Sequence, residues 1–180
     1  MRRRLLPLAT ISSLLLLAFT CGRDYTGPDI DFGPGDGLAH RDAQGRPNGP
    51  QDATDWASDA TWNTQELNYI TFPTLNINGP QQPAAVLGTS AYPNSGPVGQ
   101  LRWRLRLGAA APCPCQVYAS VRSKRYTEVD TYMADNLAAA DSVLFAPKAY
   151  NFDQTYRLYY VVYNATGLLY KGHGDLRFTP

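Results

Sequence analysis

The stretch LRWRLRL, residues 101–107, decides the fold of this 180-residue chain. Large apolar side chains alternate in it with arginines without interruption. Because successive side chains of a β-strand point to opposite faces, the alternation predicts a strand with Leu101, Trp103, Leu105 and Leu107 in a core. Arg102, Arg104 and Arg106 then face water. The stretch therefore predicts an antiparallel sheet that is covered on one side only.

Towards the carboxyl end, Tyr156 to Tyr163 is apolar in both alternating phases apart from one arginine, which predicts a central strand covered on both faces. Asn164-Ala165-Thr166-Gly167 has the composition of a turn. The chain then returns through Leu168–Tyr170 and Leu176–Phe178 as the second strand of a hairpin. Gly172-His173-Gly174 interrupts this returning strand and predicts a bulge or bend.

Three further segments complete the reading of residues 69–180. Val117–Val121 predicts a strand, and Tyr69–Ile77 predicts another that Pro73 places at an edge. Thr127–Ala140 fits a helical face weakly, so the pattern leaves helix and strand open. The turn-bounded, two-residue periodicity predicts a small antiparallel all-β domain.

Upstream of the strands, residues 51–68 have the character of a lid with a short helix. Asn63-Thr64-Gln65-Glu66 has the form of a capping box, which predicts a helix start. Trp56 and Trp62 stand in two similar short sequences, Asp52–Trp56 and Asp59–Trp62. They are either a stacking platform for a carbohydrate or a clip that holds the lid on the open edge of a sheet.

Residues 21–50 are rich in Gly, Pro and Asp and contain few apolar side chains. Such a composition buries too little surface to offset the entropy of ordering. We therefore expect a disordered, flexible linker that holds the folded part away from its point of attachment.

Residues 1–20 have the layout of a bacterial signal peptide, with Arg2–Arg4 followed by an apolar stretch that is densest at Leu14–Phe19. The stretch is too short for a stable membrane span. Its removal takes three of the 16 basic residues and none of the 15 acidic ones, which leaves a net charge of about −2. This balance argues against nucleic acid as a partner.

Cys21 directly follows the apolar stretch and resembles the lipobox cysteine of bacterial lipoproteins. The resemblance implies diacylglycerol on its sulfur, cleavage just before it, and an acyl chain such as palmitate on the new amino terminus. It also implies an outer-membrane lipoprotein of the cell envelope, facing the periplasm or the surface. The usual pattern has Leu three residues before the cysteine and a small Gly or Ala immediately before it, whereas this chain has Ala18, Phe19 and Thr20, so ordinary signal cleavage that leaves a free thiol stays open.

The loop Ala91-Tyr92-Pro93-Asn94-Ser95-Gly96 resembles the Tyr-Pro-Asn-Pro loop that opens the β-sandwich secretion domains common in Bacteroidota, with Ser95 in place of the second proline. The resemblance covers this loop, the strand after it and, loosely, the C-terminal hairpin. It implies an immunoglobulin-like β-sandwich for residues 69–180. It does not imply secretion by that route, because a lipid anchor and a cleaved sorting domain are alternative fates.

Residues with catalytic chemistry are sparse. The chain has two histidines, His40 in the linker and His173, and two glutamates, Glu66 and Glu128. No nucleophile stands at a recognisable spacing from a base, and no metal or cofactor motif occurs. His173 is either an interior histidine that satisfies the backbone of a bulge or a base or ligand with Asp175.

Two other groups have both a structural and a functional interpretation. Cys113-Pro114-Cys115 falls short of a zinc set, and export favours a disulfide between its cysteines. Arg102, Arg104 and Arg106 are either a solvated strand face or a site for an anionic glycan or a lipid head group.

The sequence thus predicts a non-catalytic envelope lipoprotein that acts as a binding or accessory scaffold module. Its partners would be the membrane, through the N-terminal lipid, and another envelope protein or a glycan. A carbohydrate-binding module that uses Trp56 or Trp62 is the first alternative. The second is an envelope hydrolase assembled from distant residues such as Asp135, Asp141, Asp153 or His173.

Overall fold

The computed structural model describes residues 27–70, 75–148 and 151–180. The signal peptide, Cys21 and the first residues of the expected linker lie outside this part of the chain. Within it, no helix is both long and apolar enough to cross a membrane.

Strands dominate the described residues. One short helix, α1 (Thr64–Tyr69), and a 3₁₀ turn (Pro83–Ala85) precede them. The strands are β1 (Val86–Tyr92), β2 (Gly96–Pro97), β3 (Arg102–Leu107), β4 (Cys115–Arg122), β5 (Glu128–Leu137), β6 (Ser142–Phe145), β7 (Thr155–Asn164) and β8 (Gly167–Thr179).

The strands form two sheets that pack as a sandwich. The three-stranded sheet has the order β1-β3-β6, and the five-stranded sheet has the order β2-β8-β7-β4-β5. The pairs are antiparallel except for β2 with β8. The chain changes sheet between β3 and β4, between β5 and β6 and between β6 and β7, as in immunoglobulin-like domains, and the two-residue β2 adds a crossing on each side of it. Tyr156, at the start of β7, donates its hydroxyl to the carbonyl oxygen of Asn151 at 3.1 Å, in the manner of a tyrosine corner. The prediction of an all-β, immunoglobulin-like sandwich is confirmed.

The decisive strand is β3, and its two faces are as predicted. Leu101, Trp103, Leu105 and Leu107 are buried, whereas the three arginines lie on the outer face of the three-stranded sheet. Trp103 packs on Tyr160 of the opposite sheet with 5.2 Å between ring centroids. This contact lies in the main core, between the sheets.

Strand β7 is covered on both faces, as its sequence predicts. Leu158, Tyr160 and Val162 face the main core, while Tyr159 and Val161 belong to a second cluster on the outer face of the five-stranded sheet. The residues that cover this outer face come largely from the chain before β1: Ile30, Trp62 and Ile70 are buried there.

The flexible linker expected for residues 21–50 is wrong for residues 27–50. Ile30, Leu38 and Ala39 are buried, and the amide of Ile30 donates to the carbonyl oxygen of Lys124 at 2.7 Å. Few apolar side chains suffice because the outer face of the sheet supplies most of the apolar surface. We call residues 27–70 the covering segment. The folded unit therefore begins well before residue 69.

Two local predictions between the lid and β6 have different outcomes. Tyr69–Ile77 is not a strand where it is described, because Tyr69 ends α1 and Leu75–Ile77 are irregular, with the other residues outside the described part. The ambiguous segment Thr127–Ala140 contains strand β5, since pairing with β4 outweighs a weak helical pattern.

The capping box predicted within the lid is confirmed. Asn63 and Glu66 form both of its reciprocal hydrogen bonds.

The lid grips the edge of β8 from both faces. The amide of Trp56 donates to the carbonyl oxygen of His173 at 2.8 Å, and that of Asp59 donates to Lys171 at 3.0 Å. The ring of Trp56 enters the main core, and Trp62 lies in the outer cluster. The tryptophans therefore clip the lid to an open sheet edge.

The bulge predicted at Gly172-His173-Gly174 is absent, since β8 pairs with β7 without interruption there. Glycine is needed at positions 172 and 174 for another reason. A Cβ atom on Gly174 would lie 2.4 Å from the ring of Trp56, and one on Gly172 would lie 2.4 Å from the carbonyl oxygen of Ala57. Their missing side chains make room for the lid.

Gly174→Ala should therefore lower the free energy of unfolding by about 2 kcal/mol or more, because the added methyl group displaces a packed tryptophan. Gly88→Ala in β1 is the matched control, since its Cβ would meet nothing within 4 Å. The control should be neutral or slightly stabilising. Urea unfolding followed by tryptophan fluorescence measures both, and equal stabilities for the two variants would contradict the packing described.

Candidate functional site

Two regions concentrate polar chemistry in the described residues. The first is a layer of buried or half-buried ionisable groups between the covering segment and the five-stranded sheet, which we call the buried polar layer. Its members are Asp55, Asp59, Glu66, Arg157, Lys171, His173 and Asp175.

Arg157 and Asp175 face each other on β7 and β8 and form a bidentate ion pair, with both N–O distances 2.7 Å. The covering segment completes their hydrogen bonds. Arg157 also donates to the carbonyl oxygen of Asp31, and the amide of Asp175 donates to Asp55 Oδ1 at 2.9 Å. Asp55 Oδ2 accepts the amide of Ala39 at 2.9 Å.

Burial raises the pKa of Asp55 to about 7, and the neighbouring charge of Asp175 adds to the effect. The two amide hydrogen bonds favour the ionised form but do not cancel the cost of burial. Burial likewise raises the pKa of Asp175, to about 6, against the opposing influence of Arg157. Asp55 and Asp175 therefore take up protons on folding at mildly acidic pH.

His173 contacts a carboxylate and not the backbone. Its Nδ1 lies 2.8 and 2.9 Å from the two carboxylate oxygens of Asp59. Burial alone would lower the pKa of His173, but the hydrogen bond and charge of Asp59 outweigh it and raise that pKa. Asp59 Oδ2 also accepts Trp62 Nε1 at 2.7 Å. The histidine thus joins β8 to the lid.

The remaining members of the layer have partners as well. Glu66 accepts the hydroxyl of Tyr159 at 3.1 Å and the amide of Asn63 at 2.6 Å. Lys171 is fully buried and donates Nζ to the carbonyl oxygen of Ile77 at 2.9 Å. Among the described residues, the charged groups of the layer have partners within the layer, in the covering segment or, for Lys171, in the chain that follows it. Their arrangement attaches that segment to the sheet.

The structure separates several residues that the sequence marks as candidates. Trp56 and Trp62 are buried, with 9% and 4% of their surface exposed, so the stacking platform is wrong. The candidate hydrolase residues are dispersed: His173 lies in the polar layer, while Asp141 Oδ2 caps the amide of Ala138 in a turn.

Cys113 and Cys115 form a disulfide at the start of β4, with their Cα atoms 4.4 Å apart. Asn164 in the β7–β8 turn donates to the carbonyl oxygen of Pro112 at 2.7 Å and holds this loop to the sheet. Within residues 27–70, 75–148 and 151–180, no three His, Cys, Asp or Glu side chains are grouped to hold a metal ion.

A cleft of about 760 Å³ opens at one end of the sandwich, between the β4–β5 turn and the loop that leads into β7. Phe32, Val129 and Tyr156 form apolar parts of its wall. Its one carboxylate, Glu128, is in an ion pair with Arg122. The cleft has the size of a ligand pocket. Its other charged lining residues are Lys124 and Arg125, of which Lys124 pairs with Asp29 at 3.4 Å.

The second polar region is the arginine face, which we define as Arg41, Arg102, Arg104 and Arg106 with the outer surface of β1 beside them. In the register of β1 with β3, Ser90 lies opposite Arg104 and Gly88 opposite Arg106. Arg41 comes from the covering segment. It lines a groove of about 270 Å³ with Gln44, Ser90, Tyr92, Arg104 and Arg106.

The arginine face lacks the internal pairing of the buried layer. Within the described residues, no carboxylate oxygen lies within 4.0 Å of these four guanidinium groups. Arg41 Nη1 donates to the carbonyl oxygen of Gly45 at 2.8 Å, while its buried Nε has no acceptor in the described part of the chain. The alternation of β3 marked three of these arginines, but Arg41 was missed because its segment has the composition of a linker.

No family model matches the chain, and no curated protein matches it. Its function therefore has to be argued from the geometry.

The buried polar layer makes stability depend on pH. A carboxyl whose pKa is higher in the folded protein than in the unfolded chain contributes stability at acidic pH and loses it as the pH rises to its folded pKa. For Asp55 this window runs from about pH 4 to about 7. The raised pKa of His173 acts in the same direction near neutrality. Unfolding free energy should therefore fall from pH 5 to pH 8.

Asp55→Asn should make this fall shallower by about 1 kcal/mol per pH unit, because it removes one titrating group. Asp135→Asn, at an exposed position of β5, is the control and should leave the slope unchanged. Urea unfolding at half-unit intervals of pH measures the slopes. Parallel curves for the parent and Asp55→Asn would contradict the assignment.

Proposed function

We propose that this protein is a lipid-anchored binding module of the bacterial cell envelope, without catalytic activity, and that it is attached to the outer membrane through Cys21. The observation that carries the proposal is the contrast between its two polar regions. Buried ionisable groups are engaged in attaching the covering segment, whereas the arginine face reaches solvent and has no carboxylate partner among the described residues. A scaffold with one open charged face suits recognition.

The packing of the covering segment limits the distance between a lipid on Cys21 and the folded part of the chain. Cys21 lies six residues before Gly27, where the described chain begins. Even fully extended, six residues span only ~20 Å. A lipid on Cys21 would therefore hold the sandwich next to the bilayer, in place of the longer linker that the composition indicates. A module held in this way acts on partners at the membrane surface.

The absence of catalysis is part of the proposal and has a chemical argument. His173 is held by Asp59 and shielded by the lid, with 13% of each side chain exposed. A general base has to reach the proton that it removes. The described contacts give His173 no neighbouring Ser, Thr or Cys nucleophile. A role in attaching the lid accounts for its geometry.

The lipid anchor is tested on Cys21. Intact mass of the mature protein should correspond to a chain that begins at Cys21 and carries diacylglycerol and an acyl chain. Cys21→Ser should move the protein from the membrane fraction to the soluble fraction, because the lipid attachment is lost. Cys113→Ser with Cys115→Ser is the control, since it removes the other two cysteines and should leave the protein in membranes. A mature chain that begins elsewhere without acyl mass would overturn the anchor.

A further inference from the structure

We propose that the arginine face binds an acidic polysaccharide, an extended chain of sugars that carry carboxylate groups. The inference deepens the proposed function and rests on it for the envelope location only. The site itself is argued from the contacts and charges of the described residues.

The arginines of β3 form a row and not a cluster. Arg102, Arg104 and Arg106 occupy alternate positions of one strand, so their Cα atoms repeat at about 7 Å along it. A row of like charges without counter-charges is unfavourable until an anion neutralises it. A single small anion engages one point of such a row. Repeated charges on a polymer engage its whole length.

The arginines are not equally available. Arg102 donates Nη1 to the carbonyl oxygens of Gly99 and Leu101, so its guanidinium is partly occupied. Arg104 and Arg106 are exposed and have no such bonds in the described structure. Arg41 lines the same groove and is held by Gly45. Three arginines from two segments of the chain thus line one groove.

The groove has the size and lining for one sugar unit at a time. Its volume of about 270 Å³ lies just below the range of about 300–1,000 Å³ that is usual for drug-sized ligands. Gly88 keeps the floor open, because nothing lies within 4 Å of its Cβ position. Ser90 and Gln44 place a hydroxyl and an amide on the wall, and both groups donate to and accept from sugar hydroxyls.

Carboxylate is the charge that these donors fit. Guanidinium groups bind planar carboxylates with two parallel hydrogen bonds, and such charge-assisted bonds are stronger than neutral ones. The hydroxyl and amide next to them add sugar contacts that a bare anion does not make. The combination favours a sugar acid over an inorganic anion.

Two other polyanions fit the face less well. Proteins that bind single-stranded nucleic acid stack its bases on aromatic side chains, and Tyr92 is the one aromatic residue that lines this groove. An anionic bilayer is flat and engages proteins by apolar insertion as well as charge. Here Arg41, Arg104 and Arg106 line a groove, which a flat surface does not enter.

The test uses the purified full-length protein in detergent, with polygalacturonate as the probe and its methyl ester as the neutral probe. Calorimetry at low ionic strength should detect binding to polygalacturonate that weakens as salt is added. Arg104→Gln with Arg106→Gln should weaken binding at least about tenfold, and Arg41→Gln about threefold. Lys148→Gln is the control, because Lys148 is exposed and does not line the groove. It should bind as the parent does.

Any of the following results would overturn the proposal. Equal binding of the methyl ester would show that charge is not recognised, and unchanged affinity of the double variant would place the site elsewhere. Tighter binding to anionic vesicles or to single-stranded DNA than to polygalacturonate would show that the arginine face binds a membrane or a nucleic acid instead. No binding of polygalacturonate by the parent would show that the face does not bind an acidic polysaccharide. Unfolding curves of the variants exclude loss of fold. Cys21→Ser should bind polygalacturonate like the parent, so failure of the anchor and failure of the site are separable.

Discussion

The bidentate pair of Arg157 and Asp175 sits on the outer face of the central hairpin and has to be shielded there with its hydrogen bonds satisfied. A buried ion pair is tolerated only when its remaining donors and acceptors find partners. The covering segment supplies them through Asp31, Asp55 and the backbone. The position of residues 27–70 follows from this requirement, together with the apolar surface of Tyr159 and Val161 beside it.

The same requirement explains why the two outer faces of the sandwich differ. Strand β7 is apolar on both faces, so the five-stranded sheet needs a second cover, and the covering segment is used for it. Strand β3 is apolar on one face only, so the three-stranded sheet needs none. Its arginines consequently stay in solvent. This face carries the three arginines of β3, and recognition is proposed there.

The sequence predicted what depends on local periodicity. The alternation in residues 101–107 and the doubly apolar Tyr156–Tyr163 are short-range patterns, and both strands formed as expected. The capping box at Asn63 is equally local. The prediction of a flexible linker failed for the covering segment because this segment is stabilised by partners more than 100 residues away, such as Arg157 for Asp31. The composition of a segment indicates how much apolar surface the segment can bury by itself. It does not indicate how much apolar surface a distant sheet contributes. For the same reason, no sequence signal near Arg41 marked it as a partner of Arg104.

The long-range attachment of the covering segment has a consequence for the order in which the molecule matures. Asp55 and Asp175 are 120 residues apart, and the lid rests on glycines near the carboxyl end. Contacts of such high sequence separation form late, because the intervening chain must first be closed into a loop. Because a polypeptide is synthesised from its amino end, the covering segment is made before its binding surface exists. The covering segment stays unpacked until β8 has followed. The N-terminal part of the chain therefore packs last, after the C-terminal strands have formed their sheet.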